Sequence, residues 1–161
     1  MNTEEFTYEY LPHRGISEAT MMKYDCRTKV SSSGEPVEVG FNYEHGWKTR
    51  NLLKPKKEAF KTVGDTTKVP LFGAQFFSAG SARSITLTEG EFDALAAYEM
   101  LGSKYPVVSV RSSSSARKDC EVMRDYLNSF ERIYLCFDND ENGQKATKEV
   151  ALLFDWDKVY H

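Results

Sequence analysis

The sequence predicts a mixed α+β and α/β fold, in which a small basic, β-rich N-terminal part precedes a parallel-sheet α/β part. Short runs separated by Ser- and Gly-containing turns occupy residues 26–50. After residue 84, strand-like apolar runs alternate with segments of helical periodicity. With 161 residues, of which 40% are hydrophobic and 13% aromatic, the chain can bury one core or two small ones.

The N-terminal part begins with a weakly patterned stretch. Residues 1–12 mix acidic and aromatic side chains and predict no more than a short arm or helix before Pro12. Ser17 is a typical N-cap, and the spacing that follows predicts a short helix over residues 18–24. Breaks at residues 31–36 and 44–46 predict a small antiparallel meander, with strands at residues 29–30, 37–43 and 47–50.

The second part alternates between the two element types. An apolar connector at residues 70–77 is followed by strands at 85–88, 105–110, 133–137 and, beginning, 158–160, with helices at 91–101, 116–129 and 143–154 between them. This order predicts right-handed crossovers and a parallel sheet. We place the division between the two subdomains after residue 80, which gives residues 1–80 and 81–161.

Two of the predicted parallel strands end in carboxylates and then a glycine. Glu89 follows the first strand, and Asp138 and Asp140 follow the third. Ligands of parallel α/β sheets bind at the carboxyl ends of the strands, so these three side chains are expected to converge. Gathered carboxylates repel one another unless a cation lies among them, and oxygen ligands without His or Cys suit Mg²⁺ or Mn²⁺. The sequence therefore predicts a divalent-metal site.

Simpler structural roles for these acids stay open. Acidic side chains in the first turn of a helix are stabilised by the helix dipole, which is the alternative for Glu89 and the better interpretation of Glu91. For Asp138 and Asp140 the alternative is a turn-forming cluster in which Asp140 or Asn142 caps the next helix.

Positive charge is concentrated in residues 47–61. Six positive and one negative side chain give this segment a net charge of +5 in a chain of net charge −3; the residues are Lys48, Arg50, Lys54, Lys56, Lys57, Lys61 and Glu58. Such a run is often only a solvated face. Beside an acidic metal site, however, cations serve polyphosphate transfer, because metals and cations share the charge of the phosphates.

A serine loop follows the second parallel strand. It runs from Arg111 to Ser115, with Arg117 and Lys118 close behind. Its hydroxyl groups, backbone N–H groups and the following helix N-terminus are suited to a phosphate, and a flexible solvated loop is the alternative. Arg111 and Lys118 are therefore candidate nucleotide- or template-binding residues.

Composition and motifs exclude several classes of protein. The three cysteines contain no Cys-x-x-Cys pair, which excludes a disulfide framework and a zinc ribbon. The chain contains no Gly-x-x-x-x-Gly-Lys-Ser/Thr loop, so no helicase motor is predicted. No apolar run approaches the roughly 20 residues of a membrane span, and the first residues are acidic. These features predict a soluble intracellular protein without a membrane partner.

Two motifs carry a resemblance to a known family. Thr-Glu-Gly-Glu-Phe-Asp-Ala-Leu at residues 88–95 and Phe-Asp-Asn-Asp-Glu-Asn-Gly at residues 137–143 resemble the Toprim fold of bacterial-type primases, type IA and II topoisomerases and some nucleases. The whole chain resembles the RNA-polymerase (primase) domain of phage T7-type primase-helicases. That resemblance includes Arg-Gly-Ile-Ser at 14–17, Leu-Phe-Gly at 71–73 and Tyr-Pro-Val-Val-Ser at 105–109.

The resemblance implies an activity and a set of site residues. The activity is template-directed synthesis of short RNA primers on single-stranded DNA from ribonucleoside triphosphates, by two-metal nucleotidyl transfer. Mg²⁺ or Mn²⁺ would be held by Glu89, Asp138 and Asp140, with Glu89 also as the catalytic base. Nucleotide or template binding is implied for the basic segment, at Lys48, Arg50, Lys54 and Lys57.

The resemblance also implies partners. They are a replicative helicase and a zinc-binding, template-reading module that this chain lacks, in the cytoplasm of a phage-infected cell or in an organelle matrix. Family members have one more acidic position after the next strand, so we expect a Toprim subdomain truncated at His161 and one ligand short. Two other functions stay open: phosphodiester cleavage of the Toprim nuclease or topoisomerase type, and non-catalytic nucleic-acid binding in a replisome.

Overall fold

The computed structural model describes residues 8–161 and divides into two compact units, of which the first ends at Lys68 and the second begins at Val69. The predicted fold class is confirmed: the first unit contains an antiparallel sheet and the second a parallel sheet with helices. The division after residue 80 stays a prediction. Leu71 and Ala74, from the predicted connector, pack into the core of the second unit.

The first unit is a five-stranded antiparallel meander. Its strands lie in chain order: β1 (Tyr8–Glu9), β2 (Arg27–Val30), β3 (Pro36–Tyr43), β4 (Gly46–Asn51) and β5 (Phe60–Gly64). Helix α1 (Glu18–Lys23) stands between β1 and β2. The predicted N-cap is confirmed, because the Ser17 side chain accepts a hydrogen bond from the backbone N–H of Thr20 at 3.3 Å.

The two outer strands of this sheet were not predicted. β1 falls in the stretch for which we expected an arm or helix, and residues 1–7 of that stretch lie outside the described residues. β5 begins at Phe60, within the basic segment of residues 47–61, and we predicted no strand at that position. All five of its residues are exposed, so its sequence has no buried face and shows no alternation of apolar and polar side chains.

The core of the first unit fixes which way the basic side chains of β4 point. Val39 and Phe41 of β3 are fully buried. They pair directly with Arg50 and Lys48 of β4, and paired residues of antiparallel strands share a face of the sheet. The two cations therefore lie on the same face as the core, toward the β5 edge.

The second unit alternates strands and helices as predicted. Its elements are β6 (Ser84–Thr88), α2 (Glu91–Met100), β7 (Val107–Ser109), α3 (Ala116–Val122), α4 (Arg124–Asn128), β8 (Arg132–Cys136), α5 (Glu141–Ala151) and β9 (Val159–Tyr160). One predicted helix differs. Residues 116–129 form two short helices rather than one, because the backbone leaves helical geometry at Met123 (φ −100°, ψ 20°).

The parallel sheet has the strand order β7-β6-β8-β9. In chain order this is second, first, third, fourth, so the connections run in opposite directions on either side of β6. α3 and α5 cover one face of this sheet through a core that includes Ile85, Leu87, Val108, Ile133 and Leu135. The topological switch point lies between β6 and β8, and this is where open α/β sheets bind ligands.

The helices of residues 8–161 are short. None is long and apolar enough to cross a membrane.

Candidate active site

Three strands of the second unit, β7, β6 and β8, end in register at one edge of the sheet. Thr88, the last residue of β6, pairs with Ser109 of β7 and with Cys136 of β8. Glu89 follows Thr88 directly, and Asp138 comes two residues after Cys136. The strand pairing therefore brings these two carboxylate residues to the switch point, as the sequence predicts.

Glu89 and Asp138 are in direct contact. The Glu89 carboxylate accepts a hydrogen bond from the backbone N–H of Asp138, with 3.3 Å between N and Oε2. Glu89 is half-buried, whereas Asp138 is exposed. The Glu89 side chain thus reaches from the end of β6 to the end of β8, and the Asp138 side chain is accessible to solvent.

Asp140 has a structural role at the same edge. Its carboxylate accepts a hydrogen bond from the backbone N–H of Gly143 at 2.8 Å and so caps α5. This is the alternative that the sequence left open for Asp140. Capping occupies Oδ1 of this carboxylate, and the role of Asp140 as a metal ligand stays a prediction.

Gly143 lets α5 pack tightly against the backbone that carries Asp138. A Cβ atom built on Gly143 would overlap the carbonyl oxygen of Asp138 and lie 2.8 Å from its carbonyl carbon and 3.0 Å from its nitrogen. Only glycine fits there. The glycine that closes the motif therefore sets the position of Asp138, a role that was not predicted.

The oxygen donors at this edge fit Mg²⁺ or Mn²⁺ in kind. Carboxylates are hard ligands of the type these ions prefer. Desolvation raises the pKa of the Cys136 thiol at the end of β8. Across residues 8–161, however, no three or more His, Cys, Asp or Glu side chains form a group placed to hold a metal ion.

A cleft of about 430 Å³ opens beside Asp138. It lies between the end of β8 and α5, and its lining includes Asn139, Thr147, Lys148 and His161. Lys148 places a positive charge in the same cleft as the Asp138 carboxylate. Lys148 was not predicted, because an exposed lysine in a helix has no distinguishing pattern.

The serine loop at the end of β7 is organised by a buried carboxylate. Asp119 of α3 is completely buried. Its Oδ1 accepts hydrogen bonds from Nε and Nη2 of Arg111 at 3.1 and 2.6 Å, and its Oδ2 accepts from the Arg111 backbone N–H at 3.0 Å and from the Ser115 hydroxyl at 2.9 Å. These bonds favour an ordered loop over the flexible one that the sequence left open.

This arrangement limits what the two cations of the loop can do. The guanidinium of Arg111 is engaged with a buried carboxylate, which offsets its charge. Lys118 is exposed on α3. Nucleotide or template binding by either residue stays a prediction. Asp119 itself was missed, since a single acid on a helical segment gives no sign of burial.

The basic residues of the first unit cluster around an aromatic ring. Lys48 Nζ lies 4.9 Å from the centroid of the Phe60 ring, and Arg50 Cζ lies 5.7 Å from it. These distances are within the range of cation–π attraction. The structure thus brings together two of the predicted binding residues, Lys48 and Arg50, and it adds Phe60, which no sequence pattern singled out.

Lys54 and Lys57 lie in the connection between β4 and β5. Both are exposed, and Lys57 belongs to a short 3₁₀ turn, Lys56–Glu58. Their role in nucleotide or template binding stays a prediction.

Comparison with solved structures decides the family. The primase fragment of the bacteriophage T7 primase-helicase is 32% identical and superposes with a TM-score of 0.86, over 99% of this chain and 67% of that chain. The chain belongs to the phage T7-type primase domains. A second T7 structure contains a chain that is 33% identical. It superposes with a TM-score of 0.81, and the match covers 99% of the present chain and 82% of the T7 chain. This second structure is of the T7 lagging-strand DNA polymerase interacting with primase domains of two gp4 subunits bound to an RNA/DNA hybrid and dTTP.

Other matches agree with this T7-type primase domain. Residues 86–159 match the family described as Toprim-like. A DNA helicase/primase of Enterobacteria phage T3 is 36% identical over 154 residues, and the chain spans 27% of that protein's length. A DNA primase domain from Pseudomonas aeruginosa shares the fold, with a TM-score of 0.54 at 17% identity over 91% of this chain and 50% of that one.

The buried ion pair of this primase domain gives a stability prediction. Asp119→Ala should lower the free energy of unfolding by about 3 kcal/mol, because it leaves Arg111 without its buried partner. Urea denaturation measures the change. Glu121→Gln is a matched control on the same helix: it breaks the exposed pair with Arg117 and should cost less than about 1 kcal/mol. Equal losses in the two variants would contradict a special role for Asp119.

Proposed function

We propose that this chain is the polymerase portion of a DNA primase and joins ribonucleoside triphosphates into short RNA primers on single-stranded DNA. The observation that carries the proposal is the contact between Glu89 and Asp138 at the switch point of a T7-type primase domain. A site for phosphoryl chemistry requires carboxylates at such a ligand-binding edge, and a cationic surface for the nucleic acid.

Glu89 is the proposed general base. It is half-buried and is held at the end of β8 by the backbone N–H of Asp138. A carboxylate fixed in this way can take the proton from the 3′-hydroxyl group of one nucleotide as that oxygen attacks the α-phosphorus of the next. The attack forms a new P–O bond and expels pyrophosphate, so the proton that Glu89 accepts balances the step.

Asp138 and Asp140, with Glu89, are the proposed ligands of Mg²⁺ or Mn²⁺. When bound, such an ion would neutralise charge on the phosphates and polarise the bond being broken. Asp138 is exposed at the cleft and can offer both carboxylate oxygens. Asp140 can contribute Oδ2 while Oδ1 keeps the cap of α5.

Lys48 and Arg50 are proposed to bind phosphates of the template or of the incoming nucleotide. They share one face of β4 and are separated by one residue, so their charges add along the strand. Lys54 and Lys57 extend the cationic surface beyond the strand. Arg111 and Lys118 are the remaining candidates, at the serine loop.

We also propose the setting in which the chain acts. Its ligands would be single-stranded DNA and ribonucleoside triphosphates, and its protein partners a replicative helicase and a zinc-binding module that reads the template, in the cytoplasm of a phage-infected cell. Support comes from the T3 relative, a helicase/primase, and from the T7 complex with an RNA/DNA hybrid.

A primer-synthesis assay tests the proposal. The chain is incubated with a pool of single-stranded DNA templates, labelled ribonucleoside triphosphates and Mg²⁺, and short labelled RNA is the expected product. A parallel reaction with labelled DNA and no ribonucleotides detects strand cleavage. DNA binding without RNA product would favour a non-catalytic binding module, and shortened DNA would favour a Toprim nuclease or a topoisomerase-like enzyme.

The basic pair gives a prediction about binding. Lys48→Met combined with Arg50→Met should weaken binding of single-stranded DNA and reduce the salt dependence of log K by about 1 to 2, since up to two phosphate contacts are lost. Fluorescence anisotropy at several salt concentrations measures both. Lys104→Met is the control, an exposed lysine before β7 at the opposite sheet edge from the carboxylates. An unchanged salt slope in the double variant would contradict phosphate binding by this pair.

A further inference from the structure

Phe60 stands out on the first unit as an aromatic ring on an edge strand. β5 lies at one end of the antiparallel sheet, and each of its residues is exposed. Phe60 is 37% exposed. Proteins usually protect sheet edges with charged side chains and avoid large apolar ones, because an open apolar edge favours aggregation. Phe60 is thus a partly accessible aromatic ring at this edge.

The surroundings of the ring are cationic. Arg50 pairs directly with Phe60 across β4 and β5, and Lys48 lies two residues away on the same face. Lys48 Nζ lies 4.9 Å from the centroid of the Phe60 ring, and Arg50 Cζ lies 5.7 Å from it. The segment that contains all three residues has a net charge of +5. The expected ligand is thus anionic and also presents a flat surface that can stack.

Nucleic acid has this combination of properties. A nucleobase stacks on an aromatic ring regardless of its identity, and the neighbouring phosphates are attracted to lysine and arginine. Lys48 and Arg50 are separated by about 7 Å along β4, at a rise of roughly 3.4 Å per residue. They form a row of charges rather than one converging pocket. A row matches a strand with successive phosphates better than a single nucleotide.

We propose that Phe60 is a stacking platform for a base of single-stranded DNA, and that Lys48 and Arg50 bind the phosphates on either side of that base. The proposal rests on the proposed function, since it names how the primase domain would bind its template. Stacking is independent of base identity, so Phe60 contributes affinity without sequence preference. Other residues would have to recognise the base sequence of the template.

Removal of the bases from the ligand tests the proposal directly. Binding of a fluorescein-labelled oligothymidylate to the full chain is measured by anisotropy, beside an oligonucleotide of equal length made of abasic sites. The wild-type chain should bind the intact strand about tenfold more tightly. Phe60→Leu keeps an apolar side chain but removes the aromatic face. This variant should bind the intact strand as weakly as the abasic one.

Three further variants make the test specific. Phe60→Trp should keep the preference for the intact strand, because the indole ring also stacks. Val63→Ala should leave it unchanged, since Val63 is 47% exposed on the same strand but pairs with Trp47 on the other face. Lys48→Met should weaken binding of both strands by the same factor, because it removes a phosphate contact and no stacking.

Defined outcomes would overturn the inference. Equal binding of intact and abasic strands by the wild-type chain would do so, and so would a preference that survives in Phe60→Leu. A loss of ribonucleoside triphosphate binding in Phe60→Leu, with binding of the intact strand unchanged, would assign the ring to the free nucleotide. A chain that binds neither strand would contradict both this inference and the proposed function.

The primer-synthesis assay separates the two proposals. If the wild-type chain prefers the intact strand but makes no RNA, the stacking inference stands and the proposed function fails. If it makes RNA but binds both strands equally, the proposed function stands and the stacking inference fails.

Discussion

Glu89→Gln should abolish primer synthesis by this chain, with a loss of at least about a hundredfold in rate. The amide has nearly the shape of the carboxylate and its oxygen can still accept the hydrogen bond from the backbone N–H of Asp138. It cannot take a proton from the attacking hydroxyl group. The change therefore removes the base, together with one anionic ligand of the proposed metal site, and leaves the contact with Asp138. Labelled RNA product per unit time measures the effect.

Glu141→Gln is the matched control for this change. Glu141 is an exposed carboxylate in the first turn of α5, close in sequence to Asp138 and Asp140. Its neutralisation should cost only about 0.3 to 1 kcal/mol of stability through the helix dipole and leave synthesis nearly intact. Urea denaturation checks that both variants fold. Full activity in Glu89→Gln would remove this residue from the role of base.

The sequence predicted the architecture where periodicity carries information. β6, β8 and α5 have apolar faces that pack into one core, so their patterns are strong and their predicted positions agree with the structure. β5 has no buried face, and its position depends only on pairing with β4. The periodicity of apolar residues cannot predict such a strand.

The candidate site was predictable in part for the same reason. Glu89 and Asp138 follow strands, so strand pairing alone brings them together. The roles of Asp140 and Gly143 depend on how α5 begins, and Asp119 depends on which side of α3 is buried. Those are properties of three-dimensional packing, and a single sequence does not specify them.

Gly143→Ala should destabilise the chain by about 1 to 3 kcal/mol and lower primer synthesis about a hundredfold, without touching any carboxylate. The new Cβ atom would overlap the carbonyl oxygen of Asp138, so either α5 or the backbone of Asp138 must move. Because the N–H of Asp138 also holds Glu89, a shift of the backbone at this residue displaces the proposed base together with the proposed ligand. Small displacements of reacting groups have large effects on rate.

The sign of the stability change distinguishes this explanation from an ordinary helix effect. In a helix interior, alanine is more favourable than glycine by about 1 kcal/mol, so without the close contact the variant would be more stable than the wild type. Urea denaturation measures the sign, and Lys145→Ala, an exposed change in the same helix, should lie within about 0.5 kcal/mol of zero. A stabilised Gly143→Ala variant that synthesises primers normally would mean that α5 does not set the position of Asp138. A destabilised, inactive variant with an unchanged Lys145→Ala control would tie the glycine of the motif to the geometry of the carboxylates that precede it.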